Sequence, residues 1–148
     1  MPDVPTEFVP SLDFVVRLDV RIGPRETIGR TPEGQRLRIP ILGGRFEGRT
    51  PEGSGFVGEV LTGADYPLVR PDKVTMVEAC YAIRADDGAI IRVHNRGLSN
   101  AGAPLRSVVS FEAPEGEHDW LNKAVFVGTL DAAKGAEGLV VIWVYRAV

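Results

Sequence analysis

Cysteine is nearly absent from this 148-residue chain. Cys80 stands alone, so no disulfide can close within the chain and the fold must rest on its core. A single thiol also fits a reducing compartment, and a cytoplasmic location is expected. Histidine is almost as scarce: His94 and His118 are the only two, with no His-x-His pair. A zinc or cupin-type centre needs three or four clustered ligands, so both histidines read as surface or turn residues, and neither metal nor cofactor is expected. There is no cationic excess. The 17 basic residues face 20 acidic ones, a net charge of −3, which gives nucleic acid no basic face to bind. No apolar run approaches the roughly 20 residues that cross a bilayer, so no membrane partner is expected. The first residues lack a basic stretch followed by an apolar one, and no signal peptide is expected.

Catalytic motifs are missing too. No Gly-x-Ser-x-Gly elbow occurs, which argues against a hydrolase of that class. Gly43-Gly44 lacks the strand, glycine loop and helix of a phosphate cradle. Cys80 has no neighbour that would make it a thiolate, and its role reads as structural.

What is present is alternation. The 44% apolar content is enough for one buried core, read as a single domain over 1–148 with an extended N-terminal segment, 1–12. Phe14, Val16, Leu18, Val20 and Ile22 fall on one face, with Arg17, Asp19 and Arg21 on the other. Leu37, Ile39 and Ile41 alternate likewise, as do Phe56 and Val60, then Leu105, Ser107, Val109 and Phe111, then Ala124, Phe126 and Gly128. The last run is apolar on both faces: Leu139, Val141, Trp143 and Tyr145 against Val140, Ile142 and Val144. Such a strand needs cover on both sides, from a neighbouring loop or a second subunit. Turn chemistry separates the runs. Arg-Thr-Pro-Glu-Gly occurs at Arg30–Gly34 and again at Arg49–Gly53, and it suits tight turns better than an internal repeat, because the flanks differ. Roughly eight to ten short strands point to an all-β fold, a closed antiparallel barrel or a sandwich. Short helices are expected only near His118–Asn122 and Asp131–Lys134.

One hairpin has a derivable register. A three-residue loop, Asp86-Asp87-Gly88, pairs Ala85 with Ala89, Ile83 with Ile91, Tyr81 with Val93 and Ala79 with Asn95. A two-residue loop would set Arg92 beside Ile83 and mix the faces. The longer loop leaves Glu78, Arg92, His94 and Arg96 on a solvated face and turns Tyr81 and Asn95 inward. An inward Asn either ties down the Arg96-Gly97 bend or orients a ligand in an apolar lumen.

Before the hairpin lies a polar loop. Asp65 follows Gly63 at the end of a strand and is the best candidate general base, because partial desolvation raises a carboxyl toward useful basicity. Its alternative is a turn cap or a pair with Arg70. Arg70 offers a forked cation for an enolate or carboxylate, or simply a salt bridge to Asp72 or Asp65. Tyr81 offers a proton or hydrogen bond from the wall, and Tyr66 lies at the mouth. Trp120 and Asn122 either close a lid over substrate or pack a turn onto the barrel end. Phe46, Phe126 and Trp143 line the lumen or pack within it.

These residues resemble a known family. Gly43-Gly44-Arg45-Phe46-Glu47-Gly48, Gly58-Glu59-Val60-Leu61, Gly63-Ala64-Asp65-Tyr66 and Arg70-Pro71-Asp72 are similar to domain-of-unknown-function family 3237, also called uncharacterised-protein family 0311. The likeness continues through Tyr81, Asp86–Ala89, Ile91, Asn95-Arg96-Gly97, Phe111-Glu112, Trp120-Leu121-Asn122 and Phe126-Val127-Gly128. It implies a single small closed β-barrel, shaped like allene oxide cyclase and dirigent barrels and often oligomeric, with no settled activity. The chain departs from the usual pattern in having Lys73 where Gly commonly follows Arg-Pro-Asp, and Tyr66 where Trp often follows Gly-Ala-Asp.

Three functions fit. The first is a cofactor-free isomerase, cyclase or lyase on a hydrophobic oxygenated molecule, with Asp65, Tyr81 and Arg70 catalytic. The second is a carrier of such a molecule. The third is a structural barrel filled by its own side chains. A homo-oligomer, a dimer or larger, is expected in each.

Overall fold

A computed structural model describes residues 1–148. Ten strands follow the alternating runs: β1 (Leu12–Ile22), β2 (Glu26–Thr31), β3 (Gly34–Arg49), β4 (Gly55–Asp65), β5 (Leu68–Val69), β6 (Val74–Ala85), β7 (Ile90–Asn100), β8 (Leu105–Glu112), β9 (Val125–Asp131) and β10 (Leu139–Ala147). Every pairing is antiparallel, in the order β1-β10-β9-β8-β7-β6-β4-β3. β3 then pairs back onto β1, so eight strands close into a barrel and leave no free edge among them. β2 is added outside on β3, and β5 bridges β3 and β6. There is no α-helix. Short 3-10 turns occur at Thr6–Phe8, Asp119–Lys123 and Gly135–Glu137, the last slightly beyond the expected Asp131–Lys134.

The inner faces carry the core. Val16, Leu18, Val20, Phe46, Phe56, Val60, Ile83, Ile91, Val93, Phe126 and Val144 are all almost fully buried. Each such side chain contributes about 1.5–3 kcal/mol relative to exposure, which closes the wall around its own residues. The β6–β7 register is the one the hairpin demands, with Tyr81 opposite Val93 and Ala79 opposite Asn95, and the Ala85 N–H donating to the Ala89 carbonyl. On the outer side of that hairpin His94 and Arg96 meet Glu78 at 3.1 and 4.0 Å, and these exposed pairs add about 0–1 kcal/mol each.

Two features differ from the alternation. Phe14 does not share the inner face with Val16. A bulge between them turns Val15 and Val16 both inward and leaves Phe14 outside, edge-on to Tyr145 at 5.8 Å. Part of the outer cover of β10 therefore comes from β1 itself, since Arg17 also lies over the Trp143 ring at 5.9 Å. The two ends of the barrel also differ in kind. One end is plugged: Phe46 packs on Phe56 at 4.9 Å, Phe111 on Phe126 at 5.0 Å, and Trp120 on both Phe56 and Phe126. Asn122 fixes this plug, because its side-chain amide takes both the N–H and the carbonyl of Ala113, at 2.8 and 2.9 Å. The other end is open.

Lys73 accounts for the glycine usual at its position. Its φ is 72°, in the left-handed region where a Cβ is disfavoured, in the tight Arg70–Val74 turn closed by the Lys73 N–H to the Arg70 carbonyl. Lys73→Gly should therefore stabilise the fold by up to about 1 kcal/mol, after the entropy a glycine adds to the unfolded chain. That corresponds to a rise in Tm of about 2–4 °C. Calorimetry reads it, and a lower Tm would contradict the strain.

Candidate functional site

The open end leads into a cavity of about 940 Å³ in the upper half of the barrel. Its walls are mostly aliphatic, from Val20, Ile39, Ile41, Val77, Leu130 and Ile142. Besides Thr75 and the rim residues Arg25 and Glu137, three polar side chains interrupt them: Asp65, Tyr81 and Asn95. The register explains their meeting. Asp65 on β4 lies opposite Ala79 on β6, and Ala79 lies opposite Asn95 on β7. Tyr81, two residues on from Ala79, points to the same side, so the three groups sit as cross-strand and diagonal neighbours on one wall. A bulge in β4 after Val60 brings Gly63 opposite Tyr81. A Cβ built on Gly63 would fall 2.5 Å from the Tyr81 Cβ, so only glycine lets the two strands approach as they do behind the phenol.

The electrostatics of this wall are unusual. Burial pushes the Asp65 carboxyl up to about 6. Hydrogen bonds from the Glu78 and Tyr66 N–H groups pull the other way, the former at 3.0 Å, and the nearby Glu78 charge adds to the rise. Asp65 forms no ion pair, so nothing in the chain neutralises it. Tyr81, 5% exposed, is held well above the usual phenol range, chiefly by burial and then by the Asp65 charge. It stays protonated at any physiological pH. Asn95 is 3% exposed, and its Oδ1 has no hydrogen-bond partner. A buried acceptor left unpaired costs about 1–3 kcal/mol, which a ligand donor would recover.

The other sequence candidates lie elsewhere. Arg70 faces an outer groove and donates to Asp72 in its own loop, because the Arg-Pro-Asp turn brings guanidinium and carboxylate together; it does not reach the lumen. Tyr66 is exposed on the outer side, and Arg38 donates to its hydroxyl at 3.3 Å. Phe46, Phe126 and Trp120 form the plug, and Asn122 fastens it, so they bound the barrel without lining the cavity. Trp143 faces outward beneath Arg17. The alternating runs identified inner faces without revealing which end of each strand is open. The rows through Asp65 reach Ile39 by register, while the rim from Gly23 to Arg25 and from Ala132 to Gly138 carried no signal beyond its loop composition.

One set of side chains could hold a cation. Ligand atoms of Asp87, Glu117 and His118 all lie within 4.8 Å of one another, beside the plug rather than the cavity. His118 Nε2 meets Asp87 at 2.7 Å, so these two groups already satisfy each other and pin the hairpin turn to the plug. The Ala89 N–H and His118 hold the Asp87 carboxyl below the usual range.

Fold and site together define a small closed β-barrel with one plugged end and one polar-tipped open lumen. The chain belongs to the family described as protein of unknown function DUF3237, which matches residues 10–147. It is 34% identical to a UPF0311 protein of Bradyrhizobium diazoefficiens, over 89% of this chain and 95% of that one. A solved protein of unknown function from Rhodopseudomonas palustris superposes with a TM-score of 0.81 at 30% identity, covering 95% of this chain and 99% of its own. A solved structure described as an enzyme from Penicillium herquei shares the barrel, with a TM-score of 0.73 at 23% identity over 98% and 99% of the two chains.

The raised carboxyl has a consequence for stability. Its folded value, about 6, lies above the unfolded value near 4, so the folded state holds the proton more tightly. The contribution is present below about pH 4 and is lost as pH rises through 6. Asp65→Asn keeps the acceptor for the Glu78 N–H and removes the buried charge. It should match the wild type near pH 4 and exceed it by about 1–3 kcal/mol at pH 8 in urea denaturation. A variant less stable than wild type at pH 8 would contradict the desolvated carboxylate.

Proposed function

We propose that the lumen is the active site of an enzyme of isomerase, cyclase or lyase type, acting on a hydrophobic oxygenated molecule with Asp65 as general base. The observation that carries this reading is a carboxyl near pKa 6 in an apolar hollow, beside a phenol that stays protonated. At neutral pH Asp65 is mostly ionised and weakly solvated, the condition of an effective base. It takes a proton from a carbon next to a carbonyl. The electron pair moves into the carbonyl oxygen, where the Tyr81 hydroxyl donates to the developing negative charge. Where a double bond is conjugated with the enolate, returning the proton to the far carbon shifts that double bond and re-forms the carbonyl, an isomerisation with no oxidant or reductant. The aliphatic walls hold the reactive conformer, an entropic contribution that needs few chemical groups. Arg70 has no part in this scheme, since it lies outside the lumen with Asp72. That a Penicillium herquei enzyme is built on the same barrel supports the idea that such a lumen can house chemistry.

A carrier is the second reading, favoured by the breadth of aliphatic lining. Deuterium exchange separates the two. In D2O, 2-tetralone and related enolisable ketones should exchange their α-protons faster with protein than without, with a rate that rises through an inflection near pH 6. Asp65→Asn and Tyr81→Phe should each lower that rate about a hundredfold or more with the fold intact. No exchange above background, or equal rates in wild type and both variants, would leave only the carrier.

A further inference from the structure

The polar inventory of the lumen restricts what can occupy it, whether or not chemistry follows; what is added here rests on reading this cavity as the ligand site. The only cation on its lining is Arg25, exposed at the rim, which also carries the exposed Glu137. Deeper in, the charged group is Asp65, which has no counter-ion. An anionic head drawn past the rim would lose its water, find no positive partner and face a second negative charge. An anionic group is therefore disfavoured in the hollow. Asn95 adds a positive requirement. Its side chain lines the cavity, and its Oδ1 is buried and unpaired. Two inward hydroxyls lie on neighbouring positions of the wall, Tyr81 and the buried Ser107, and neither makes a hydrogen bond to it. A hydroxyl on the ligand supplies the missing donor at no cost in charge.

We infer that the lumen selects molecules with an apolar body, no anionic group and a hydroxyl that donates to Asn95 Oδ1. Selection acts through Asn95 for the hydroxyl and through Asp65 against anions.

Three probes with one ring system separate these terms: 2-naphthol, its methyl ether 2-methoxynaphthalene, which cannot donate, and 2-naphthoate, which is anionic. Binding is followed at pH 7.5 by NMR titration, with the Asn95 side-chain amide as the reporter of position. 2-Naphthol should bind about tenfold tighter than the ether and shift the Asn95 amide. 2-Naphthoate should bind weakest, and Asp65→Asn should restore at least part of its affinity. Asn95→Leu, close to isosteric and relieved of an unpaired polar group, should fold and bind 2-naphthol and the ether equally. Asn95→Ala serves the same comparison if packing at Leu proves tight. Equal affinity for the naphthol and its ether in wild type overturns the hydroxyl requirement, and tightest binding of the naphthoate overturns the charge selection. None of these readouts needs turnover. A failed exchange assay with the binding order intact removes the enzyme and keeps the selection, while the reverse outcome removes the selection alone.

Discussion

Removing a carboxylate from water is unfavourable unless a cation or several donors replace the lost hydration. Asp65 has two backbone N–H groups and no cation, and its proton affinity rises accordingly. The burial is imposed by the sheet. Asp65 sits on the last position of β4, in register with Ala79 and Ile39, and the inner face of that row is the cavity wall. The same closure that stabilises the barrel thus keeps the carboxyl poorly solvated, with the phenol and the amide buried beside it.

The asymmetry of the barrel follows from where bulk is placed. Phenylalanines and Trp120 fill the plugged end, while the open end is lined by smaller aliphatics and by Gly23, Ala79 and Gly138. A filled end stabilises by packing and cannot admit a ligand. A lumen walled by short side chains sacrifices packing, and that sacrifice is tolerable because the plug and the closed hydrogen-bonded wall carry the fold. Buried unpaired polar atoms occur at both ends, His118 Nδ1 and Trp120 Nε1 beside the plug and Asn95 Oδ1 at the hollow.

Much of this was legible in the residues. Period-two alternation located the strands, and the Asp86-Asp87-Gly88 loop set a register that placed Tyr81 and Asn95 on the inner face of one hairpin. Gly63-Ala64-Asp65 marked a strand end with a carboxyl. Other features were not legible because they depend on contacts distant in sequence. The bulge that expels Phe14 arises where β1 must pair with β3 and β10 at once. Alternation cannot tell the mouth from the plug, so Phe46, Trp120 and Phe126 read equally well as lining or as stopper. Arg70 was ambiguous because its nearest carboxylate, two residues away, competes with any site the fold might bring to it.

The most direct test of this arrangement is the titration of Asp65 itself, followed through its side-chain carboxyl carbon by 13C NMR. The account predicts a midpoint near 6, with chemical shifts of the Tyr81 ring and the Asn95 amide moving through the same midpoint as the shared hollow gains its charge. A midpoint near 4, with Tyr81 and Asn95 unmoved, would mean that Asp65 is solvated and that the three groups do not share one desolvated wall.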